Sequence, residues 1–332
     1  MVALILAILP VPVYLAIILF IDRYEHEPWR MLAMAFFWGA LVAFSLSLIF
    51  ELMLKGAIFL TFGSVSKVFT SAVSPAIVEE GAKGLALFLL FFWKKDEFDG
   101  VIDGIVYASM VGLGFAMVEN ISVYGSAEIK GGLASGLTLF VVRGILLAFS
   151  HPLFTSMTGI GLGLARQSRN SLIKFIVPVI GLLLAMLLHF LYDFSAIVGG
   201  LAFFAQVLLV IVPVFLGVLI IIFFSLRREG RIVREQLNPE LQTGLLSREE
   251  YDSLGSIHGR MGASFKALRV GGYGKWRTRM RFNQVASELA FQRNRVEQGI
   301  TSRSDAEREG AYIQLLHNLK RSMGAANSPA TG

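Results

Sequence analysis

The chain has 332 residues, of which 55% are hydrophobic and 16% are charged, and its mean hydropathy is +0.65. Soluble domains usually carry about 25% charged residues, so this composition excludes a purely soluble globular protein as well as a disordered one. The absence of cysteine excludes disulfides, a thiolate nucleophile and cysteine-ligated metal sites.

Charge is divided unevenly along the chain. Residues 1–226 contain 12 Lys and Arg against 13 Asp and Glu, whereas residues 227–332 contain 18 against 11. We therefore predict an all-α, polytopic transmembrane helix bundle over residues 1–226 and a basic cytoplasmic tail over residues 227–332. The tail is expected to contain short helices and to end in a disordered segment.

Seven apolar stretches are each about 20 residues or longer, which is enough to cross a hydrocarbon core of about 30 Å. They lie at 2–21, 30–54, 74–93, 101–124, 140–165, 172–195 and 203–226. The first stretch lacks a preceding basic segment and a cleavage site of small residues, so we interpret it as a retained span. Residues 56–73 are of mixed polarity and are predicted to form an outer loop, with a helical or re-entrant form left open.

Lysine and arginine are shared unequally between the two alternating sets of short connections. One set contains Arg23, Arg30, Lys94, Lys95, Arg166, Arg169 and Lys174, and the other contains Lys55, Lys67 and Lys130. Because cytoplasmic loops are enriched in Lys and Arg, the first set is predicted to face the cytoplasm. We therefore expect a multi-pass plasma-membrane protein with its N-terminus outside and its tail in the cytoplasm.

Ionisable side chains inside the predicted spans each cost at least about 2.5–3.5 kcal/mol on insertion scales, so each one requires an explanation. Eight of them are considered as candidates for a polar site: Glu79, Glu80, Lys83, Glu119, Arg143, His151, His189 and Asp193. The spacing of Glu79 and Lys83 is one helical turn, as is that of His189 and Asp193, so each pair shares a helix face.

The predicted topology places these residues at similar depths. Glu79 and Glu119 lie about five residues inside the outer boundary, and His189 lies about six. His151 lies deeper, about eleven residues into the fifth span, where Pro152 is expected to kink the helix toward the other polar residues. We therefore predict one polar layer, built from four spans, in the outer half of the membrane. Glycines that recur within the spans are expected to serve close helix packing.

Carboxylates beside imidazoles suit general acid–base catalysis, in which one group takes a proton from an attacking water. Structural interpretations stay open at this point: a neutralised Glu79–Lys83 pair, an interhelical hydrogen bond from Glu119, and a packing role for His151. Arg143 is expected to snorkel or to pair rather than to react. Two other functions also stay open, namely a proton-coupled transporter and a non-enzymatic scaffold or immunity-type protein.

Three motifs carry a resemblance to a known family. They are Glu79-Glu80-x-x-Lys83, Phe115-x-x-x-Glu119 and His189-x-x-x-Asp193, in this order along the spans. Together with the acidic, aromatic loop at residues 22–29 and the segment 98–107, this set resembles the PrsW family of intramembrane proteases over about residues 14–195. The resemblance implies an endopeptidase that cleaves single-pass membrane proteins, notably anti-sigma factors in envelope-stress signalling.

The resemblance also implies roles for individual residues, because the PrsW family is distantly similar to the CAAX prenyl endopeptidases and the Abi proteins. Glu79 would activate water, Glu119 would stand where those relatives have a helping histidine, and His189 with Asp193 would stand where their oxyanion-binding pair lies.

The full predicted catalytic set is Glu79, Glu80, Glu119, His189, Asp193 and His151. In it, Glu80 with Lys83 sets the protonation of Glu79, and His151 serves as a further proton shuttle. A divalent metal at this cluster is compatible with the donor types, but we do not favour it, and no cofactor is predicted.

The tail contains helical patterns and one basic, aromatic run. Apolar residues recur at helical spacing at Phe282, Val285 and Leu289 and again at Ile313, Leu316 and Leu319, which predicts a helical hairpin around Gly299. The basic run at residues 271–281 is expected to contact anionic lipid, or the tail to bind a cytoplasmic partner. No nucleic acid is expected, because no recognised nucleic-acid-binding module surrounds the run.

Overall fold

The structure, a computed structural model, describes residues 1–95, 97–297 and 305–325. Over these residues the chain forms α-helices with short π-helical segments and no strand, which confirms the predicted all-α membrane bundle. The chain divides into two compact units: Met1–Asp22 with Glu27–Ile222, and Arg23–His26 with Phe223–Gly332. The domain boundary predicted after residue 226 lies on the same helix as the boundary between these units.

The first unit, called here the membrane unit, is built from helices that follow one another with short connections. They are α1 (Val2–Ile8), α2 (Val11–Ile21), α3 (Trp29–Phe37), α4 (Phe44–Phe62), α5 (Ser74–Trp93), α6 (Val101–Leu139), α7 (Ser150–Gln167), α8 (Ser171–Val198), α9 (Gly200–Gln206) and the first part of α10 (Val212–Gln236). π-Helical segments lie at Trp38–Ala43, Phe69–Val73, Phe140–Leu146 and Val207–Ile211.

Within the described residues, five helical stretches, two of them with short turns inside, are long and apolar enough to cross a membrane. They are Val2–Ile21, Trp29–Phe62, Val101–Gln167, Ser171–Val198 and Gly200–Gln236. Val101–Gln167 contains two of the predicted spans, and the residues between them belong to α6, whose backbone leaves the helical conformation at Gly132 (φ 73°). The charged residues of α5 set it apart from the five by composition, so the total of seven spans stays a prediction.

Residues 56–73 differ from the predicted loop. Helix α4 continues to Phe62, and a further helical stretch leads through Phe69–Val73 into α5. The two are separated at Gly63, whose φ of 71° lies in the left-handed region that ends helices. The loop is therefore short, and most of this mixed-polarity stretch is helical.

Glycines bring α6 and α7 into backbone contact. A Cβ atom on Gly104 would lie 2.1 Å from the carbonyl oxygen of Gly159, and one on Gly159 would lie 2.0 Å from that of Gly104. A Cβ atom on Gly112 would lie 2.8 Å from the backbone nitrogen of Pro152 in the first turn of α7. Small residues permit this approach where lipid provides no hydrophobic drive, as the sequence predicts.

The start of α7 corrects one expectation. The fifth predicted span is interrupted after Leu146, and α7 begins only at Ser150. His151 and Pro152 thus lie in the first helical turn, where proline is tolerated because its missing N–H would have no intrahelical partner. The predicted kink at Pro152 is wrong, and His151 owes its position to the start of a new helix beside Gly112.

The second unit, called here the tail unit, combines the tail with a short loop. It contains the end of α10, α11 (Asn238–Gln242), α12 (Arg248–Leu254), α13 (Ile257–Glu297), α14 (Asp305–Ala325) and the loop Arg23–His26. The predicted apolar positions on α13 are buried, as is Leu316 on α14, and the two helices pack together. The turn predicted around Gly299 and the predicted disordered end lie outside the described residues.

Two arginines link the loop to the rest of the tail unit. Nη1 of Arg260 donates to the carbonyl oxygen of Arg23 at 3.1 Å, and the Arg260 guanidinium carbon lies 4.3 Å from the ring centre of Tyr24. Nη1 of Arg295 lies 2.6 Å from Oε1 of Glu25. Burial lowers the pKa of Arg260 to about 10. The loop is therefore packed as a part of this unit.

Candidate active site

The predicted polar residues come from four helices and one π-helical segment of the membrane unit. Helix α5 carries Glu79, Glu80 and Lys83, α6 carries Glu119, the segment Phe140–Leu146 carries Arg143, α7 carries His151, and α8 carries His189 and Asp193. The structure brings all eight into one cluster, called here the polar cluster, through contacts of 2.7–3.8 Å.

Lys83 lies at the centre of the polar cluster. Its Nζ is 3.1 Å from Oε2 of Glu79, 2.9 Å from Oε1 of Glu80 and 3.1 Å from Nδ1 of His151. The side chain is fully buried, and the Phe115 ring covers it with the ring centre 3.8 Å from Nζ. Because an ammonium can only donate hydrogen bonds, Nδ1 of His151 accepts in this contact. Such partners are what make a buried ammonium tolerable.

The Glu80 carboxylate is fully engaged. Its Oε1 lies 2.9 Å from Nζ of Lys83 and 3.1 Å from Nδ1 of His189, while Oε2 accepts from Oγ1 of Thr155 at 3.0 Å. Glu80 thereby connects α5 with α7 and α8. Thr155 is not among the predicted site residues, although it lies one turn after His151 on the same face of α7, where helical spacing could have indicated it.

Glu79 is less engaged than its neighbour. Its Oε2 accepts one hydrogen bond, from Lys83, and lies 3.8 Å from Nε2 of His189, which is beyond hydrogen-bond distance. The Glu79 side chain is 10% exposed, whereas that of Glu80 is completely buried. A carboxylate with fewer donors and an accessible edge is better placed to take a proton from water.

His189 lies between two carboxylates. Its Nδ1 is 3.1 Å from Oε1 of Glu80, and its Nε2 is 3.3 Å from Oδ2 of Asp193 one turn along α8. The Phe154 ring stacks on the imidazole, with the ring centres 5.4 Å apart. A proton on Nδ1 bonded to Glu80 leaves Nε2 facing the rest of the polar cluster, which is the usual way in which a carboxylate orients a functional histidine.

Glu119 and Asp193 are the more accessible carboxylates, with side chains 23% and 20% exposed. Oε2 of Glu119 accepts from Nη2 of Arg143 at 2.7 Å and lies 2.8 Å from Nε2 of His151. Nε of Arg143 also donates to Oδ1 of Asn120 at 3.2 Å. Arg143 therefore pairs with a predicted site residue instead of snorkelling.

Three buried residues offer donor atoms suited to a metal ion. Donor atoms of Glu79, His151 and His189 all lie within 4.8 Å of one another. Carboxylate and imidazole donors of this kind form catalytic zinc sites. Nε2 of His151 is also buried and makes no directed hydrogen bond within the described part of the chain, despite its close approach to Glu119. The residues present therefore fit a divalent cation.

The net charge of the polar cluster also suits a divalent cation. Its four carboxylates face two permanent cations, the ammonium of Lys83 and the guanidinium of Arg143. Two negative charges are left when both imidazoles are neutral. Buried charge is costly unless it is compensated, so one divalent cation or two added protons would bring the site close to neutrality. Lys83 would be the nearest competitor of such a cation.

Comparison with known proteins identifies the family. Residues 27–219 match the PrsW family of intramembrane metalloproteases, and this match includes the whole polar cluster. The chain belongs to the PrsW family. It is 31% identical over 173 residues to the protease PrsW of Geobacillus kaustophilus, which covers 52% of this chain and 69% of that protein.

Two further PrsW proteases show the same level of similarity. That of Bacillus subtilis is 31% identical over 174 residues, which cover 52% of this chain and 72% of the relative. That of Oceanobacillus iheyensis is 30% identical over 207 residues, which cover 62% of this chain and 86% of the relative. No solved structure matches the chain.

Membership of the PrsW family makes this chain a membrane-embedded peptidase, as the three motifs predict. It favours the peptidase over the transporter and scaffold alternatives. The family is described as one of metalloproteases, and a Glu/His cluster is present in this chain. These two observations favour a bound metal, whereas the residue pattern alone does not. The roles of individual residues stay predictions.

Proposed function

We propose that this PrsW-family peptidase cleaves single-pass membrane proteins with a water molecule activated by Glu79. The observation that carries the proposal is the contrast between two adjacent carboxylates in one buried cluster. Glu80 is held by three donors from three helices, whereas Glu79 accepts a single hydrogen bond and keeps an accessible edge. The engaged carboxylate supports the site, and the less engaged one is available to water.

Hydrolysis proceeds in two proton-coupled steps in this proposal. Glu79 takes a proton from the water while the water oxygen bonds to the scissile carbonyl carbon. The carbonyl oxygen becomes an oxyanion. The carbon–nitrogen bond then breaks, and the leaving nitrogen takes the proton from Glu79. Lys83 and Glu80 fix the charge around Glu79 throughout, because the ammonium bonds both carboxylates.

The two histidines serve the oxyanion and the proton transfers. A positioned imidazole N–H stabilises negative charge that develops on a carbonyl oxygen. His189 is oriented by Glu80 and Asp193, and His151 contacts Lys83 and Glu119, so neither ring depends on solvent for its orientation. Asp193 and Glu119 are positioning residues in this scheme.

The implied metal would be held by Glu79, His151 and His189, and Glu79 would offer it one carboxylate oxygen and keep the other to accept the proton of the water. When bound, a divalent cation supplies Lewis acidity and a nucleophilic water at neutral pH. We expect the purified chain to retain about one zinc ion per chain, as catalytic zinc sites do, and His189→Ala to lose it. Elemental analysis before and after chelation measures this without an activity assay. His317→Ala, at an exposed histidine of α14, is the control. Full activity in a zinc-free protein would contradict the metal and leave acid–base catalysis alone.

The substrate side of the proposal rests on topology and family. The excess of Lys and Arg in one set of loops supports a polar cluster in the outer half of the membrane and a cytoplasmic tail. A cluster at that depth suits cleavage near the extracytoplasmic end of a membrane-anchored protein. Anti-sigma factors in envelope-stress signalling are the substrate class that the PrsW resemblance implies.

Comparison of cell-envelope proteomes tests this function. The strains carry the wild type, Glu79→Gln, His189→Ala or no copy of the protein. We expect a small set of single-pass proteins to lose their extracytoplasmic part only in the wild-type strain, and immunoblots of membranes to show that both variants accumulate. Full processing in both variants would contradict the assigned residues. Identical proteomes in all four strains under several envelope stresses would contradict the proteolytic function.

A further inference from the structure

We propose that the tail unit binds an anionic phospholipid in a basic cavity near the start of the tail. The cavity has a volume of about 630 Å³ and lies within the tail unit. Its lining residues are Tyr24, Phe223, Leu226, Arg227, Arg231, Arg234 and residues 255–258. The proposed peptidase reaction does not involve any of them.

Three arginines form one wall of the cavity. Arg227, Arg231 and Arg234 are spaced by one helical turn each along α10, so they share a helix face. All three are exposed, and within the described residues none of them forms an ion pair with a carboxylate. No described Asp or Glu lines the cavity. Guanidinium groups bind phosphate oxygens through paired hydrogen bonds, so this wall suits a phosphate group.

The adjoining end of the cavity is apolar. Phe223 and Leu226 precede the arginines on α10, at the end of its long apolar run. The Phe223 ring centre lies 4.3 Å from the guanidinium carbon of Arg227, so the apolar and cationic parts of the cavity are in direct contact. One ligand that matches both parts is a phospholipid, with its phosphate on the arginines and the start of an acyl chain along Phe223 and Leu226. A free phosphate would use only the cationic part.

The change from apolar to basic residues along α10 favours the lipid as the source of the phosphate. Juxtamembrane Lys and Arg on the cytoplasmic side attract anionic lipid, at about 1 kcal/mol per residue near the surface. In the predicted topology this end of α10 leaves the membrane on the cytoplasmic side. In this topology, anionic phospholipids are therefore available close to the basic end of α10 that lines the cavity.

The cavity is built from three segments that are far apart in the sequence. A Cβ atom on Gly230 of α10 would lie 2.7 Å from Oη of Tyr24 and 2.7 Å from the carbonyl oxygen of Gly255. Glycine at this position thus lets α10 approach both the loop Arg23–His26 and the turn after α12. A lipid that touches all three segments stabilises their packing, because a ligand that binds the folded form preferentially raises its stability.

The test uses the full-length protein in phosphatidylcholine nanodiscs, with phosphatidylglycerol as the probe and native mass spectrometry as the readout. We expect the wild type to retain one phosphatidylglycerol. The triple variant Arg227→Gln, Arg231→Gln, Arg234→Gln is expected to bind it at least about tenfold more weakly, because charge-assisted bonds to phosphate are lost. The matched control is Arg269→Gln, Arg308→Gln, Arg321→Gln, which removes three exposed charges of α13 and α14 outside the basic run at residues 271–281 and should leave binding unchanged.

Three outcomes would overturn the proposal. Equal weakening in the two triple variants would show a general effect of net charge and no specific site in the cavity. Equal competition by glycerol 3-phosphate and by short-chain phosphatidylglycerol would show a site for soluble anions. If the glutamine variant fails to fold, the corresponding triple lysine variant replaces it in the test. Lysine keeps the positive charge but lacks the planar pair of N–H donors of the guanidinium group. Wild-type affinity in the glutamine variant would contradict the site, as would wild-type affinity in the lysine variant for a site that requires the paired hydrogen bonds of arginine.

Discussion

Glu79→Gln is expected to reduce cleavage about 10²–10⁴-fold, since general base catalysis contributes a factor of that size and the amide cannot accept the proton. The substitution keeps the size of the side chain and an oxygen that can accept from Lys83. It also removes one of four carboxylates from a cluster that has more negative than positive groups. The variant should therefore fold and insert like the wild type.

The purified enzyme in detergent, assayed with an identified substrate, provides this measurement. Glu51→Gln is a matched control, because Glu51 pairs with Lys55 four residues later on α4 at 3.0 Å, in the same spacing and at nearly the same distance as Glu79 with Lys83. The control should keep wild-type activity. Loss of activity in Glu80→Gln with full activity in Glu79→Gln would reverse the roles of the two glutamates.

The geometry of the polar cluster was predictable from the sequence to a useful extent. Charges inside apolar stretches are rare, so their identity alone selects the candidate residues. Helical periodicity then assigns faces: Glu79 with Lys83, and His189 with Asp193, meet in the structure at the spacing that predicts their contact. Depth along each span indicates that separate helices reach one layer, and the observed contacts between α5, α6, α7 and α8 agree with it.

Other parts required the three-dimensional structure. Thr155 looks like any small polar residue of a membrane helix until its hydroxyl is seen to donate to Glu80. A proline inside an apolar stretch predicts a kinked helix. Pro152 instead lies in the first turn of α7, because the preceding π-helical segment ends at Leu146 and a new helix begins at Ser150. The packing of loop Arg23–His26 into the tail unit depends on contacts with Arg260 and Arg295 across more than two hundred residues, which no local pattern contains.

The residues of the family match and those of the tail unit do not overlap. The match covers residues 27–219, and the tail unit holds only four residues of the first loop besides the chain from Phe223 onward. The polar cluster and its helices thus form the part shared with relatives, whereas the arginine-lined cavity belongs to a part outside the match. A substitution in the cavity therefore tests the proposed lipid binding without changing a residue of the polar cluster.

Lys83→Met is expected to lower the free energy of unfolding by about 3–5 kcal/mol and to abolish cleavage, because removing one partner of a buried ion pair leaves its counter-charges without compensation. The Lys83 ammonium contacts two carboxylates and His151, and its side chain is fully buried. Methionine fills a similar volume, so the loss would come from charge and hydrogen bonding instead of a cavity.

Titration with sodium dodecyl sulfate, followed by a change in helical signal, measures this free energy in the full-length protein. Lys55→Met removes the cation of the partly buried Glu51–Lys55 pair and should change stability by about 0.5 kcal/mol or less, since ion pairs four residues apart on a helix contribute about 0.3–0.5 kcal/mol when they are not fully buried. The double variant Lys83→Met, Glu80→Gln should recover part of the stability without recovering activity, because it removes a buried carboxylate together with its cation. Equal effects of Lys83→Met and Lys55→Met would contradict a central role for the Lys83 ammonium in the polar cluster.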